Sequence, residues 1–336
     1  MARDVTVADI AREAGVSMMT VSRVINHKGD VSAATRQRVQ EIIDRLNYRP
    51  SGIARSLATQ HTGTLGLVIP DISNPFFADV ARGAEHIAYA EGYSIFLCNT
   101  EEDPQRELAV VQSLEEKRVD GVVLISRLQP PQIYDVLKHL PAAVLINQRL
   151  DRKNGSTTVG TVRLDDAAGG QLATQHLLDR GHRAIGLLAG PATSFSGQAR
   201  SNGYQQALLA ASLSPNPTWK SHCPPTVEGG QVAARALLLA QPQLTALFCF
   251  NDLVAVGALQ ACAELGRRVP EDLAVVGYDD VPLAALVTPA LTTCHAPRYE
   301  LGAEAVRLLL EQIRNDAKVG TEIVLQVQLV VRASAP

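Results

Sequence analysis

The chain reads as an α/β protein: an all-α helix-turn-helix head, a short hinge segment, and two doubly wound parallel-sheet subdomains. Three observations predict this. Over residues 6–46, apolar residues recur at helical spacing in three short stretches separated by turn residues. From residue 62 onward, apolar runs of strand length alternate with helical stretches, the pattern of parallel sheets covered on both faces. About ten such units occur, more than one small sheet holds, so two sheets are expected. The expected domains are residues 1–49 (helix-turn-helix), 50–61 (hinge helix and linker) and 62–336 (core). Within the core, an N-subdomain is expected over about 62–160 and 293–319, and a C-subdomain over about 161–292 and 320–332.

In the head, Val7, Ile10, Ala11 and Ala14 form one helical stripe. Thr6 is placed to cap this helix, with Asp9 as its partner three residues on. Gly15 ends it, because glycine takes the left-handed position after a helix without strain. Ser17 can cap a second helix, whose apolar side is Val21, Val24 and Ile25. Ser32 can cap a third, with a stripe of Val39, Ile42, Ile43 and Leu46. Three such helices make the minimal core of a helix-turn-helix unit. The outward face of the second holds Ser17, Met18, Met19, Ser22 and Arg23. Arginine is the bidentate partner of guanine O6/N7, and methionine offers apolar contact to a thymine methyl. The competing reading of Met18 and Met19 is core filling, but they fall off the apolar stripe.

Charge is unevenly spread. Residues 1–60 carry nine basic and six acidic groups, net +3, on a chain of net −3, which leaves −6 on the remainder. A cationic head on an anionic body fits a DNA-binding module joined to something that does not bind DNA. The five cysteines have no CxxC and no metal-ligand spacing; Cys98 and Cys249 lie in apolar runs and read as small core residues. No cofactor and no metal site is expected. Asp9, Arg12 and Glu13 interrupt the N-terminal apolar residues, so no signal peptide is expected, and no apolar run approaches the ~20 residues that cross a bilayer. The expected location is the cytoplasm.

Between head and core, Ile53, Ala54, Leu57 and Ala58 share one helical face, in a piece of about eight residues that includes Gly52. Isolated helices shorter than ~12–15 residues are marginal in water, so this one is expected to form only against a partner. The plain alternative is a linker.

In the core, strands are expected at Thr64–Ile69, Ser94–Asn99, Gly121–Ser126, Ala143–Ile146, Thr158–Val162, Ala184–Ala189, Thr245–Phe250 and Leu273–Gly277, with a final strand over 322–331. Helices are expected near 77–91, 104–117, 166–180, 198–211, 229–240, 252–265 and 299–315. Ligands of parallel sheets bind beyond the carboxyl ends of the strands. That rule selects Asp71, Ser73, Asn74, Phe76 and Phe77 after the first strand, and Arg127, Asn147, Gln148 and Arg149 after the next ones. It also selects Asn251, Asp252, Tyr278, Asp279 and Asp280. Polar groups with a flat apolar face suit a sugar or other polyol. The alternatives are helix capping by Asp252 and Asp280, turn chemistry at Asn74-Pro75, and a solvated charge at Arg200. For Arg180-Gly181-His182-Arg183, which lacks a second ligand at metal spacing, capping is the favoured reading.

The run Val16-Ser17-x-x-Thr20-Val21-Ser22-Arg23-Val24-x-Asn26, with Val31-Ser32-x-x-Thr35-Arg36 and Leu46-Asn47-Tyr48-x-Pro50, resembles the lactose-repressor/galactose-repressor (LacI/GalR) family. The resemblance continues through Ser73-Asn74-Pro75-Phe76-Phe77, Arg118-Val119-Asp120-Gly121, Arg200-x-x-Gly203-Tyr204, Phe250-Asn251-Asp252 and Gly277-Tyr278-Asp279-Asp280. It implies a periplasmic-binding-protein-like core and a homodimeric transcription regulator, most often a repressor, that binds a double-stranded DNA operator under small-molecule control. It also implies paired hinge helices in the minor groove, with Leu57 wedged between base steps. The DNA contacts then expected are Thr6, Ser17, Met18, Met19, Thr20, Ser22, Arg23, Asn26, Ser32, Thr35, Tyr48, Ser51, Leu57 and Ala58. By motif match, Phe76, Phe77, Arg200, Asn251 and Asp279 fall on effector contacts. Asn147 stands where the family often has an aspartate and Arg127 where it has a smaller or neutral residue, so with Arg200 the pocket is expected to be cationic and a sugar acid is favoured. No leucine-heptad tail follows, so a dimer is expected.

A solute-binding protein of transport uses the same core, but a basic head and no signal peptide argue against it. No GxGxxG, GxxxxGK[ST], GxSxG or HExxH motif occurs, so an enzyme is not expected.

Overall fold

The computed structural model describes residues 5–25, 29–48, 61–129, 132–148, 159–315 and 320–336, the side chain of residue 315 excepted. It divides into two compact units, Met1–Thr62 and Gly63–Pro336.

Among the described residues, the first unit holds three helices: α1 (Val7–Ala14), α2 (Met18–Ile25) and α3 (Ala33–Arg45). Its boundaries are set by local chemistry. The Asp9 amide donates to Thr6 Oγ1 and the Thr6 amide donates to Asp9 Oδ2, a reciprocal cap. Gly15 takes φ +63° and closes α1. The Thr20 amide donates to Ser17 Oγ and the Thr35 amide to Ser32 Oγ. Ile10, Ala11, Ala14, Val21, Val24, Val39, Ile42 and Ile43 are buried together, with Val7, Ile25 and Leu46 at their margin. Each larger member contributes ~1.5–3 kcal/mol of burial.

The second unit holds two six-stranded sheets. The first runs in the order β2 (Ser94–Asn99), β1 (Thr64–Ile69), β3 (Gly121–Leu124), β4 (Ala143–Ile146), β5 (Gly160–Leu164) and β11 (Glu322–Leu325). The second runs β7 (Lys220–His222), β6 (Ile185–Ala189), β8 (Ala246–Cys249), β9 (Ala274–Asp279), β10 (Thr292–His295) and β12 (Gln328–Val330). All neighbours are parallel except β12, which is antiparallel to β10. The helices are α4 (Pro75–Ala90), α5 (Pro104–Glu116), α6 (Gln132–Leu137), α7 (Asp166–Asp179), α8 (Phe195–Ala210), α9 (Val227–Ala240), α10 (Asp252–Glu264), α11 (Pro282–Leu286) and α12 (Arg298–Asn315).

The subdomain boundaries differ from the sequence expectation. β5 pairs with β4, so the first crossing follows residue 164 rather than 160. β10 stays in the second sheet, so the second crossing comes just before α12. The expected final strand is two strands in two sheets: Ile323 faces Val162, while Leu329 faces Cys294. The third crossing is therefore at Gln326-Val327. An alternating apolar run fixes extended conformation, not the partner, which is chosen by residues far off in sequence. The sequence does not predict β7, β10, α6 or α11; each is short, with no full period to read. Cys98 lies on edge strand β2 and is half-buried, whereas the other four cysteines are buried.

Helix pairs cross where glycines meet. A Cβ on Gly302 would stand 1.9 Å from the Val80 carbonyl oxygen, and one on Gly83 would stand 2.0 Å from that of Tyr299. α4 and α12 thus touch backbone to backbone. Among the described residues, no helix is long and apolar enough to cross a membrane.

Candidate DNA interface and effector cleft

In the head, α2 buries Val21 and Val24 and turns its other face outward. Met18 and Met19 are 58% and 65% exposed, so they are not core fillers. Ser22 shares that exposed face, and Arg23 is half-buried beside Val24. Ser17 and Thr20 are 2.9 Å apart through their hydroxyls, as are Ser32 and Thr35. Tyr48 packs against the small core. Thr6 is occupied in its cap. Asn26, Ser51, Leu57 and Ala58, with the hinge segment, lie outside the described residues.

In the core, strand order reverses at β1 in one sheet and at β6 in the other, the switch points where such sheets hold ligands. A cleft opens there, between the carboxyl ends of both sheets. Asn74, Phe76 and Phe77 line it from the start of α4. Asn74 Oδ1 accepts from the Phe76 amide at 3.0 Å, so Asn74-Pro75 begins a helix rather than a turn. The two phenyl rings stand edge to face at 5.2 Å. Arg127, Asn147 and Gln148 line the same wall. Asn147 Oδ1 accepts from the Leu164 amide, which leaves its NH2 group for the cleft.

Opposite stand Thr193–Ser196, Arg200, Phe250, Asn251 and Asp279. Arg200 is 4% exposed, which rules out a solvated charge. Its Nε donates to Asp166 Oδ1 at 2.8 Å and its Nη1 to the Phe250 carbonyl at 2.6 Å, while Nη2 lies 3.5 Å from Asp279 Oδ1. Its guanidinium stacks 3.6 Å from the centre of the Tyr278 ring. Burial works against the Arg200 cation, but Asp166, Asp279 and Tyr278 outweigh it and the net shift is upward. Asp279 is pushed up to about 7, chiefly by burial and partly against Arg200 and Arg298. Its Oδ1 is buried with no hydrogen-bond partner among the described residues. A ligand hydroxyl could supply that donor.

Other expected residues serve the frame. Asp71 and Ser73 do not line the cleft; Asp71 Oδ1 accepts from the Ser73 amide and hydroxyl in a local turn. Arg149 lies outside the described residues. Asn251, not Asp252, caps α10 through the Val254 amide. Asp252 instead accepts from the Val281 amide and Thr293 Oγ1, tying β9 and β10 to the helix. Burial, then Asp279, push its acid up to about 8. Asp280 is not a cap either; it holds His295 and Arg332. His182 Nδ1 lies 3.0 Å from Thr245 Oγ1, a structural contact. Among the described residues, no group of three or more His, Cys, Asp or Glu could hold a metal ion.

Sequence reading missed Glu102. It lines the cleft and chelates Arg127, Oε2 on Nε and Oε1 on Nη2. The strand-end rule applied to Ser94–Asn99 would have pointed to it. With Arg127 paired to Glu102 and Arg200 to Asp166, each arginine of the walls has its counter-charge. The cationic pocket expected from Arg127 and Arg200 alone is not what the side chains form. Two contacts tie the cleft walls: Gln129 Nε2 donates to the Thr193 carbonyl at 3.2 Å, and Arg298 bonds both Asp79 and the Asp279 carbonyl.

Comparison with known proteins agrees with both units. Residues 6–51 match the model of bacterial regulatory proteins of the lacI family, and residues 174–335 match that of a periplasmic binding protein-like domain. The chain is 38% identical to the ribose operon repressor of Halalkalibacterium halodurans, over 97% of this chain and 96% of that one. Among solved structures it is similar to the lac repressor dimer bound to operator and the anti-inducer ONPF, at 28% identity and TM-score 0.87, covering 99% of each chain. It is also similar to the complex of the transcriptional regulator CelR with cellobiose, at 33% identity and TM-score 0.76, covering 98% of this chain and 99% of that one. With a helix-turn-helix head and a switch-point cleft, and by its likeness to these repressors, the chain belongs to the lacI family of bacterial regulatory proteins, which are DNA-binding transcription regulators and not enzymes.

Proposed function

We propose that this regulator is a repressor that binds a pseudo-palindromic operator as a homodimer in the cytoplasm and responds to a neutral, hydroxyl-rich effector held between its subdomains. The observation that carries the reading is the outward face of α2, Met18, Met19, Ser22 and Arg23, over a buried Val21/Val24 face. Base contacts fall to Met18, Met19 and Arg23, and phosphate contacts to hydroxyls such as Ser32 and Thr35. Thr6, Ser17, Thr20, Ser22, Asn26, Tyr48, Ser51, Leu57 and Ala58 complete the interface. The division into a head over 1–49, a hinge over 50–61 and a core from 62 is part of this reading. A dimer is supported by edge strand β2, where Phe96 and Leu97 are exposed apolar residues suited to a second copy. The similar structures include a dimer on operator and a cellobiose complex.

Effector contacts are assigned to Asn74, Phe76, Phe77, Arg127, Asn147, Arg200, Asn251 and Asp279, with Arg149 beside them in sequence. A sugar acid was favoured on the premise of two uncompensated arginines. Glu102 on Arg127, and Asp166 and Asp279 on Arg200, remove that premise. Closure on ligand then shifts the spacing of two marginal hinge segments, with a coupling of ~1–3 kcal/mol.

Selection from random duplex DNA by the full chain tests the reading; a two-fold symmetric consensus is expected. On it, Arg23→Ala should cost ~1–3 kcal/mol at one base pair per half-site and relax choice there. No enrichment overturns the DNA reading, and equal weakening on every sequence moves Arg23 to a phosphate.

A further inference from the structure

Glu102 is held in place by backbone geometry that residues other than glycine rarely adopt. Glu101 and Glu102 take φ +54° and +61°, two consecutive left-handed residues after β2. Each such residue carries a conformational cost, offset here by the Glu102 amide donating to the Pro70 carbonyl and the Asp103 amide to the Thr100 carbonyl. The turn separates the two carboxylates: Glu101 goes to exposed Arg106, Glu102 to Arg127 in the cleft. The partner is fixed as firmly. Buried Glu107 accepts from the Arg127 amide at 2.8 Å and from Ser126 Oγ, and Gln148 Nε2 donates to the Ser126 and Leu128 carbonyls. Glu107 is spent on backbone and hydroxyl behind the wall, and burial pushes its acid up. Glu102 is therefore the carboxylate that meets the Arg127 guanidinium on the cleft side. The chelate uses Nε and Nη2; Nη1 makes no hydrogen bond to a described residue.

We propose that Glu102 is a specificity-determining residue of the cleft: by neutralising Arg127 it excludes anions and leaves a donor beside an acceptor for neutral polyols. This rests on the cleft being the effector site. A carboxylate or sulfate entering the wall must displace Glu102 or face it uncompensated, whereas a diol can donate to Glu102 and accept from Arg127 Nη1. A bidentate guanidinium–carboxylate pair is rigid enough to act as such a filter.

The test compares full-length wild type, Glu102→Gln, Glu102→Ser and the double variant Glu102→Gln/Arg127→Gln. Sulfate and D-gluconate are the probes, against chloride at matched ionic strength. Melting is followed through Trp219, the one tryptophan of the chain. Sulfate stabilises folded proteins generally, so the double variant sets the baseline. Both Glu102 single variants should gain about 2–4 °C over that baseline with either anion, with roughly tenfold tighter gluconate binding than wild type. Wild type should sit on the baseline. If the single variants match the double variant, or wild type already shows the gain, Glu102 is not the filter. D-ribose, D-galactose and cellobiose form a separate arm: failure of all three to stabilise wild type counts against the neutral-sugar reading, while the anion series still decides Glu102.

Discussion

Replacing Arg200 with methionine keeps a long apolar stem and removes the charge. From the geometry, the variant loses the 2.8 Å bond to Asp166, the 2.6 Å bond to the Phe250 carbonyl and the 3.5 Å approach to Asp279. It also loses the stack on Tyr278, and it leaves two carboxylates, each under a tenth exposed, without their cation. Breaking one side of a buried ion pair costs ~3–5 kcal/mol, because the surviving charge has lost its water as well as its partner. The loss depends on pH. Asp279 sits at about 7 in the native protein, against about 3.9 when unfolded. A carboxyl raised in this way contributes stability that is full below about 4 and lost as pH rises through the folded value. Without Arg200 the folded value climbs further, so the variant loses more on going from pH 5 to pH 8 than wild type does. Urea unfolding followed by Trp219 fluorescence, without ligand, measures both quantities. The expected loss is ~3–5 kcal/mol near pH 8 and clearly smaller near pH 5. A loss under ~1 kcal/mol, or one equal at both pH values, would refute the view of Arg200 as the cation of a buried cluster.

Asp252→Asn tests the other buried carboxyl. Its folded value of about 8 against about 3.9 unfolded predicts that Asp252 alone contributes a loss of ~1.4 kcal/mol per pH unit across that window, a contribution missing from the slope of the asparagine variant; parallel stability curves would count against it. Gly302→Ala gains ~1 kcal/mol of helix propensity but places a Cβ 1.9 Å from the Val80 carbonyl oxygen. Forcing α4 and α12 apart costs ~1–3 kcal/mol or more, so a net fall in melting temperature is expected, and a more stable variant would show that the crossing is looser than drawn.

Much of the head is local chemistry and was legible as such. Thr6 with Asp9, Ser17 with Thr20 and Ser32 with Thr35 are partners three residues apart, and Gly15 needs only its own backbone freedom. The core strands were legible too, since runs such as Gly121–Leu124 and Ala143–Ile146 have no polar face. The strand-end rule reached Phe76, Phe77, Arg127, Asn147, Asn251 and Asp279 because it needs only the end of a strand. It gave position and not state. Asn251 proved a cap that also faces the cleft, and Asp71 proved a turn residue.

By itself, then, the sequence determined which of the longer segments are helix or strand, that the head presents Met18, Met19 and Arg23, and which residues stand at the ends of those strands. Those outcomes depend on neighbours within a few residues. Tertiary structure alone decided which sheet takes residues 322–325 and which takes 328–330, and what charge the cleft carries. Glu102 and Arg127 follow strands with β1 between them, and Arg200 meets Asp166 and Asp279 from three separate elements. Whether a buried arginine is free or neutralised is a sum over every group within a few ångströms, and distance along the chain does not report distance in space.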